Sequence, residues 1–286
     1  MKRILYPISF VLLLLATPAW GQNGAPPVAG ARATGMGNTS VTFQDVYSAF
    51  SNQAGLAFLE DFSVGMHTER RFLVEDINSA SLAMAYPSKL GTFGLAANFF
   101  GANAYNEQRI GLSYARKLFE QVALGVQFDY LGIRIPEYGN RASFTFEIGL
   151  QAQINKHFIL GAHVFSPARI QLTDQEEDII PSQFNIGASY LPSEKVMITA
   201  EVEKDIDYPY SLRAGVEYRV VEKLSLRVGG GSYPSQTGFG LGLHLKSIQI
   251  DLSSAYHWVL GFTPSISIAY TAKKKKTTTV DNPSDL

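Results

Sequence analysis

The most constraining feature of the sequence is an alternation of apolar and polar residues that begins after Asp61 and continues almost to the C-terminus. In residues 62–72, one face carries Phe62, Val64, Met66 and Phe72, and the other carries Ser63, Gly65, His67, Glu69 and Arg71. The alternation recurs in residues 93–99, 122–130, 144–154, 212–218 and 239–245. Because successive side chains of a β-strand point to opposite faces, this period predicts an all-β chain whose strands each have one apolar face.

Two kinds of β-protein fit this pattern, a soluble sandwich with its apolar face inward and a membrane barrel with its apolar face outward. Glycine recurs on the polar face, as expected where strands curve around a crowded interior. Aromatic residues recur near strand ends on the apolar face, as in the girdles of transmembrane barrels. One predicted rim holds Tyr86, Tyr114, Tyr190, Tyr218 and Tyr270, and the other holds Phe72, Phe99, Tyr130, Phe165, Tyr256 and Trp258. We therefore predict a transmembrane antiparallel β-barrel.

The pattern predicts about fourteen strands, each near the length of about 9–11 residues that a tilted transmembrane strand needs. They begin near residues 62, 79, 91, 107, 121, 142, 157, 182, 195, 209, 223, 237, 247 and 263. Tight and mostly longer connections are predicted to alternate. The tight ones lie at 87–89, 118–120, 155–156, 192–194, 221–222 and 246–247, and the longer ones at 73–78, 101–106, 134–140, 166–181 and 231–236. Short periplasmic turns and long outer loops are typical of outer-membrane barrels, so both termini are predicted to be periplasmic.

The N-terminus has the features of a secretory signal peptide over residues 1–21, with small residues at Ala19 and Gly21 before the predicted cleavage site. An N-terminal anchor helix is the alternative, which Pro7 and Pro18 disfavour by interrupting the apolar stretch. Elsewhere no run of about 18 apolar residues predicts a membrane-spanning helix. The predicted organisation is a signal peptide (1–21), a periplasmic or plug segment (22–60), an outer-membrane barrel (61–271) and a disordered lysine-rich periplasmic tail (272–286).

The segment before the first strand, residues 30–58, is rich in glycine, alanine and small polar residues and does not alternate. Residues 45–50 are predicted to form a short helix, and residues 52–55 to close it as a turn. Gly35 and Gly37 do not follow a strand, so they are interpreted as a flexible turn and not as a phosphate-binding loop. We predict that this segment is a small plug inside the barrel.

The sequences ARATGMGNTSV and VYSAFSNQAGLAF resemble the N-terminal signature of the FadL-type outer-membrane superfamily, especially its compact PorV/PorQ branch associated with type IX secretion. Gly35, Met36 and Gly37 match the glycine-methionine-glycine part of the signature. Asn52, Gln53, Ala54 and Gly55 stand where the family has an asparagine-proline-alanine turn, with Gln53 in place of the proline. The resemblance covers about thirty residues. It implies either a protein-binding component of a secretion system or a transporter that passes hydrophobic molecules through the barrel wall.

Charged and histidine side chains are predicted to line the lumen, since they fall on the polar face of the strands. These are His67, Glu69, Arg71, Arg109, Asp129, Glu147, His163, Glu201, Arg213, Glu217, Arg219, Arg227, His244 and Asp251. Because both signs are mixed and buried charges must be paired, we interpret them as a salt-bridged network that holds the plug. A polar ligand site beside the plug is the alternative hypothesis.

Several functions are disfavoured by the sequence. The 24 basic and 25 acidic residues argue against a nucleic-acid partner. The five histidines lack metal-ligand spacing, there is no cysteine, and nothing orients Ser189 or Ser253 as a nucleophile. The chain is predicted to be a non-enzymatic barrel without metal or cofactor.

The predicted function is that of a PorV/PorQ-like protein-binding component of a secretion or surface-assembly system, and the alternative is FadL-like passive transport of hydrophobic small molecules. The predicted partners are accordingly outer-membrane lipid, secretion-system or cargo proteins, and a hydrophobic small molecule. The acidic loop 166–181 and the lysines of 273–276 are interpreted as solvated segments. A docking or cation-binding role for the loop, and a lipid or periplasmic contact for the lysines, are the alternatives.

Overall fold

The structure is a computed structural model that describes residues 28–102, 105–136, 139–168, 170 and 180–272. The predicted signal peptide, nearly all of the lysine-rich tail and the acidic part of loop 166–181 lie outside the described residues. Within the described part of the chain, no helix is long and apolar enough to cross a membrane.

Fourteen antiparallel strands close into one barrel, which confirms the predicted fold. Each strand pairs with its neighbours in sequence, and β1 pairs with β14 to close the wall. The strands are β1 (Ser63–Arg70), β2 (Asn78–Ser88), β3 (Gly91–Ala102), β4 (Tyr105–Lys117), β5 (Val122–Ile135), β6 (Gly139–Gln153), β7 (Phe158–Phe165), β8 (Gln183–Ser193), β9 (Val196–Asp205), β10 (Ser211–Val221), β11 (Leu224–Ser232), β12 (Ser235–Leu245), β13 (Ile248–His257) and β14 (Gly261–Thr271).

The connections at the two ends of the barrel differ, although less than the sequence predicts. At the turn end, where β1 begins and β14 ends, consecutive strands are joined by two to four residues. At the opposite end, the loop end, three predicted loops are wrong because the strands continue through them. β3 and β4 pair as far as Ala102 and Tyr105, β5 and β6 as far as Ile135 and Gly139, and β11 and β12 as far as Ser232 and Ser235.

The outer surface of the wall carries large apolar side chains. Met66, Leu112 and Ile186 are each about two-thirds exposed, and the predicted tyrosines near the turn end, such as Tyr86 and Tyr218, also point outward. An apolar band flanked by aromatic residues on a closed barrel is the surface that a lipid bilayer covers.

Two predicted rim aromatics are wrong, because they lie inside the barrel. Phe165 is fully buried, and it pairs across the sheet with the inward-facing Glu147. Phe72 follows the end of β1 and has a positive φ of 55°, which turns the chain inward. Its ring lies 6.1 Å from that of His257. Parity placed Phe72 outward, and it fails there because β1 has already ended. Phe165 has the same parity as the inward-facing His163, so alternation itself places it inside, and its assignment to the rim overlooks this.

The plug, residues 28–60, lies in the lumen. It comprises α1 (Ala31–Gly35) and two 3₁₀ helices, Val46–Phe50 and Gln53–Phe58. The predicted helix at residues 45–50 is present as the first 3₁₀ helix, where the carboxylate of Asp45 accepts the N–H of Tyr47 at 2.9 Å. The predicted turn at residues 52–55 is wrong, because a second helix begins there with Asn52 as its N-cap. Gly35 closes α1 and is not part of a flexible turn.

The apolar core of the plug packs against small residues of the wall. Val46, Tyr47, Phe50 and Leu56 are buried against four alanines of β2, β3 and β4, namely Ala83, Ala85, Ala96 and Ala115. Because the wall side chains are small, the bulky side chains of the plug fill the lumen. The plug is thus the hydrophobic core of the barrel.

Candidate functional site

Inward-facing glycines bring the backbone of the plug into direct contact with the wall. A β-carbon added to Gly215 would lie 2.7 Å from the Met36 β-carbon, and one added to Gly229 would lie 2.5 Å from the Met36 carbonyl oxygen. On other strands, Gly65 and Gly187 leave the same kind of space for plug side chains. From the sequence alone, these glycines are attributed to strand curvature. The structure shows that the close approach of the plug requires residues without a side chain at these positions.

The predicted motif residues of the plug form these contacts. Met36 is fully buried, while Gly37 has a positive φ of 71° and lies against the backbone of Gly230. Asn52 donates its side-chain amide to the carbonyl oxygens of Val41 and Leu150 at 2.7 and 3.1 Å. Ala54 is also fully buried, and Gly55 leaves no room for a β-carbon beside Ser48 and the Phe43 carbonyl. The motif residues therefore contact both other parts of the plug and the barrel wall.

Arg32 is an ionic anchor of the plug that the sequence-based site prediction did not include. Its Nε and one terminal nitrogen donate to the two carboxylate oxygens of Glu217, both at 2.9 Å. Its other terminal nitrogen lies 3.4 Å from the carboxylate of Asp45, whose pKa is raised by burial in spite of this contact. A two-bond fork of this kind fixes orientation as well as charge. Its position within the sequence ARATGMGNTSV, which resembles the FadL-type signature, is the signal that could have found it.

Glu217 also connects the plug to the wall network of β11 and β13. Arg227 Nε donates to Glu217, and a terminal nitrogen of Arg227 donates to Asp251 at 2.6 Å. Arg227 is 4% and Asp251 1% exposed. These contacts join two arginines and three carboxylates into one cluster, in which Arg32 and Asp45 remain partly exposed. The members are Arg32, Arg227, Asp45, Glu217 and Asp251.

A second buried cluster lies on β4 to β7, where the plug contributes Gln53. The amide of Gln53 donates to Glu147 at 2.6 Å. The imidazole of His163 lies 2.7 Å from the same carboxylate, and Arg109 pairs with both Glu147 and Asp129. Gln53, Asp129 and Glu147 are fully buried. The residue that replaces the family's proline therefore has a specific role, because its amide binds a buried carboxylate that a proline cannot reach.

Glu201 accepts hydrogen bonds from the plug backbone on the other side of the lumen. The N–H groups of Ser40 and Val41 donate to its carboxylate at 2.9 and 3.1 Å. The predicted lumen residue His67 is 3% exposed, and its nearest charged partner, Glu69, lies 3.9 Å away. Of the predicted lumen residues, Glu147, Glu201 and Glu217 therefore bind the plug directly.

Above the plug, at the loop end, the lumen opens into a cavity of about 440 Å³, which we call the vestibule. Its floor includes Thr34 and Asn38 of the plug. Its walls carry the aromatic residues Phe72, Phe100, Tyr105 and His257 and the charged residues Glu69, Arg71, Glu107, Glu203 and Arg213. Arg71 donates to Glu69 at 2.7 Å and Arg213 pairs with Glu203, so the lining is polar and aromatic with paired charges.

Beside the vestibule, the outer surface of the wall has a groove over β10, β11 and β12, which we call the wall groove. It is about 390 Å³ and is lined outside by small residues, including Ala214, Gly230 and Thr237, which pair with each other across the three strands. Arg213 and Gln236 line both the wall groove and the vestibule. The inward positions Gly229 and Gly231 of β11 are also glycine, so few side chains flank the wall here.

The architecture is shared with solved outer-membrane channels. The Pseudomonas putida toluene transporter TodX matches with a TM-score of 0.65 at 13% identity, over 85% of this chain and 97% of that chain. The Ralstonia pickettii toluene transporter TbuX matches with 0.66 at 14%, over 88% and 100%. A Pseudomonas aeruginosa FadL homologue matches with 0.61 at 12%, over 85% and 98%. The chain has the FadL-type fold.

At these identities the likeness concerns the fold alone. No protein-family model matches the sequence, and no curated protein matches it. Among the described residues, no group of three or more histidine, aspartate or glutamate side chains is arranged to hold a metal ion. What this barrel does must therefore be inferred from its own lumen, vestibule and wall.

Proposed function

We propose that this protein is an outer-membrane barrel that passively transports hydrophobic small molecules, which the sequence left as the alternative function. The observation that carries the proposal is that Arg213 and Gln236 line the vestibule and the wall groove at the same time. The plug blocks the direct route along the barrel axis, so a molecule in the vestibule leaves most easily sideways. The toluene transporters among the structural neighbours support the same function.

The route runs from the loop end into the vestibule and then through the wall between β10 and β11. The ladder between these strands starts at Arg213 and Gly231 and is regular from there to Arg219, so passage requires their outer ends to separate. The N–H of Leu212 is held by the Ser232 hydroxyl at 2.9 Å, and not by the ladder. Glycine at positions 229–231 lowers the packing that opposes separation.

The test uses a reversible disulfide. Because the chain has no cysteine of its own, the two introduced cysteines have no other partner within the chain. Ala214→Cys with Gly230→Cys joins β10 to β11 at a paired, outward-facing position. Val126→Cys with Ile148→Cys joins β5 to β6 in the same way and is the control. Cells expressing each variant take up radiolabelled toluene. We expect oxidation to lower uptake only in the β10–β11 variant, and reduction to restore it.

Uptake that does not exceed that of cells without the protein would refute transport of this probe. Uptake that is normal in the oxidised β10–β11 variant would refute the wall route.

A second candidate is the PorV/PorQ-like accessory role in a secretion or surface-assembly system. It is favoured by the plug, whose tight contacts with Gly215 and Gly229 close the lumen. Purification in gentle detergent, followed by mass spectrometry of retained proteins and lipids, distinguishes the two functions. Secretion or surface-assembly proteins without a bound amphiphile would favour the accessory role, and a lone barrel with a bound hydrophobic molecule would favour transport.

In either function, we propose that the motif residues and the buried polar network act by fixing the plug. We also propose that both termini lie in the periplasm, which is supported by the short connections of the turn end, where β1 begins and β14 ends. Protease treatment of intact cells tests this orientation, because a tag after residue 286 should be protected.

A further inference from the structure

We propose that the connection between β13 and β14 is a lipid-binding tip that inserts into the membrane leaflet at the loop end. The tip consists of Trp258, Val259 and Leu260, which are 71%, 84% and 52% exposed. Three consecutive large apolar side chains at the end of a hairpin need a covering partner. The proposal concerns membrane contact and does not depend on what the barrel transports.

The partner is inferred from continuity with the lipid-facing surface. Tyr256 and Phe262 point outward at the ends of β13 and β14, and their rings lie 4.8 Å apart. The Trp258 ring is 6.1 Å from that of Tyr256. The tip therefore extends the outward aromatic band without a polar interruption. Tryptophan and tyrosine favour the interface between hydrocarbon and lipid headgroups, which identifies lipid as the partner.

The height of the tip can be compared with that of the β5–β6 hairpin, which lies nearly opposite in the barrel. Tyr130 and Tyr256 are each eight residues beyond the first residue of their strands at the turn end. Phe144 and Phe262 are each nine residues before the last residue of theirs. Both hairpins thus carry an outward aromatic pair at the same level, which marks the membrane interface on each side.

The two hairpins differ in how far they continue past this level. Beyond the aromatic pair, β5 and β6 continue through residues 131–135 and 139–143, which is about 17 Å along the strands at about 3.4 Å per residue. Exposed Arg134 lies on the outward face of this extension. The β13 strand instead ends one residue after Tyr256. The tip therefore remains near the membrane interface, whereas the β5–β6 hairpin extends into water.

The tip is held in shape by His257. Its Nδ1 accepts the N–H groups of Val259 and Leu260, both at 3.2 Å, and its ring packs edge-on against Phe72. These hydrogen bonds satisfy two backbone N–H groups of the turn, which lowers the cost of placing the tip in the interface. His257 and Phe72 also line the vestibule, so the tip adjoins its rim.

Tryptophan fluorescence tests the proposal directly, because Trp20 and Trp258 are the two tryptophans of the chain. The full chain carrying Trp20→Phe is refolded into phosphatidylcholine vesicles, and folding is checked by heat-dependent mobility on gels. We expect lipids brominated near the carbonyl groups to lower Trp258 emission about twofold, as for an interfacial tryptophan. Iodide in the water should quench much less than it does in the urea-unfolded chain.

A matched variant moves the reporter to the extended hairpin. Trp20→Phe and Trp258→Phe are combined with Arg134→Trp, on the outward face of β5. This tryptophan should respond to iodide and not to brominated lipid. Iodide quenching of Trp258 equal to that of the Arg134→Trp reporter would overturn the proposal and leave the tip as a surface for a soluble partner. Lipid quenching of both reporters would overturn the difference in height.

Discussion

The two halves of the lumen are built in different ways. Below the vestibule, the plug backbone lies directly on wall glycines such as Gly215 and Gly229, and Arg32 of the plug pairs with Glu217 of the wall. At the loop end, the vestibule is open, and the Arg71 side chain is 38% exposed although it pairs with Glu69. The first half is packed like a protein core, whereas the second is lined like a binding site.

This difference separates residues that close the barrel from residues that can contact a ligand. Glu147 and Arg227 at the plug interface are at most 4% exposed, so each depends on its partner. Arg71 in the vestibule keeps contact with water and can exchange partners at little cost. Substitutions should therefore have large effects on stability in the plug half and small ones in the vestibule.

The largest effect is expected from the buried carboxylate that binds Arg109, His163 and Gln53. Glu147→Gln should lower the free energy of unfolding by about 3 kcal/mol, because it leaves the buried Arg109 short of a partner. Glu69→Gln is the vestibule control and should cost about 1 kcal/mol or less, because Arg71 stays partly in water. Urea unfolding of both variants in detergent measures the difference. Equal losses would contradict the division of the lumen into two halves.

The next largest effect is expected at a glycine beneath the plug. Gly229→Ala should cost about 2 kcal/mol, because the new methyl group overlaps the Met36 backbone, which has no room to move. In the same strand, Gly231→Ala is the control, since its β-carbon would lie 3.4 Å or more from any neighbour. That variant should stay within about 0.5 kcal/mol of the parent. Thermal unfolding followed by gel mobility compares the pair, and equal stability would mean that the plug is not seated on Gly229.

The smallest effect is expected from the amide that replaces the family's proline. Gln53→Leu removes a hydrogen bond to a buried carboxylate and should cost about 1.5 kcal/mol. Gln44→Leu is the control, because the Gln44 side chain is only partly buried where it contacts Gln151 and Gln153. It should cost about 0.5 kcal/mol. A Gln53 variant as stable as the control would show that Glu147 is satisfied without the plug.

The sequence by itself determined the barrel. The period of two residues is a local property of each strand, so it gave the strand number, the outward apolar belt and the inward position of residues such as Arg109, Glu147 and Arg227. Alternating polarity also led to the prediction that lumen charges are paired, because a closed interior cannot hold many unpaired ones.

Only the tertiary structure decided which residues meet. The contacts of Arg32 with Glu217 and of Gln53 with Glu147 join positions 185 and 94 residues apart in the chain, so no local pattern encodes them. The same holds for Gly229, which must be glycine because the Met36 backbone lies against it. It also holds for Phe165, whose ring lies 5.0 Å from the guanidinium of Arg109 inside the barrel. Local periodicity fixes the face on which a side chain lies, but its partner across the lumen depends on how the plug folds into the closed wall.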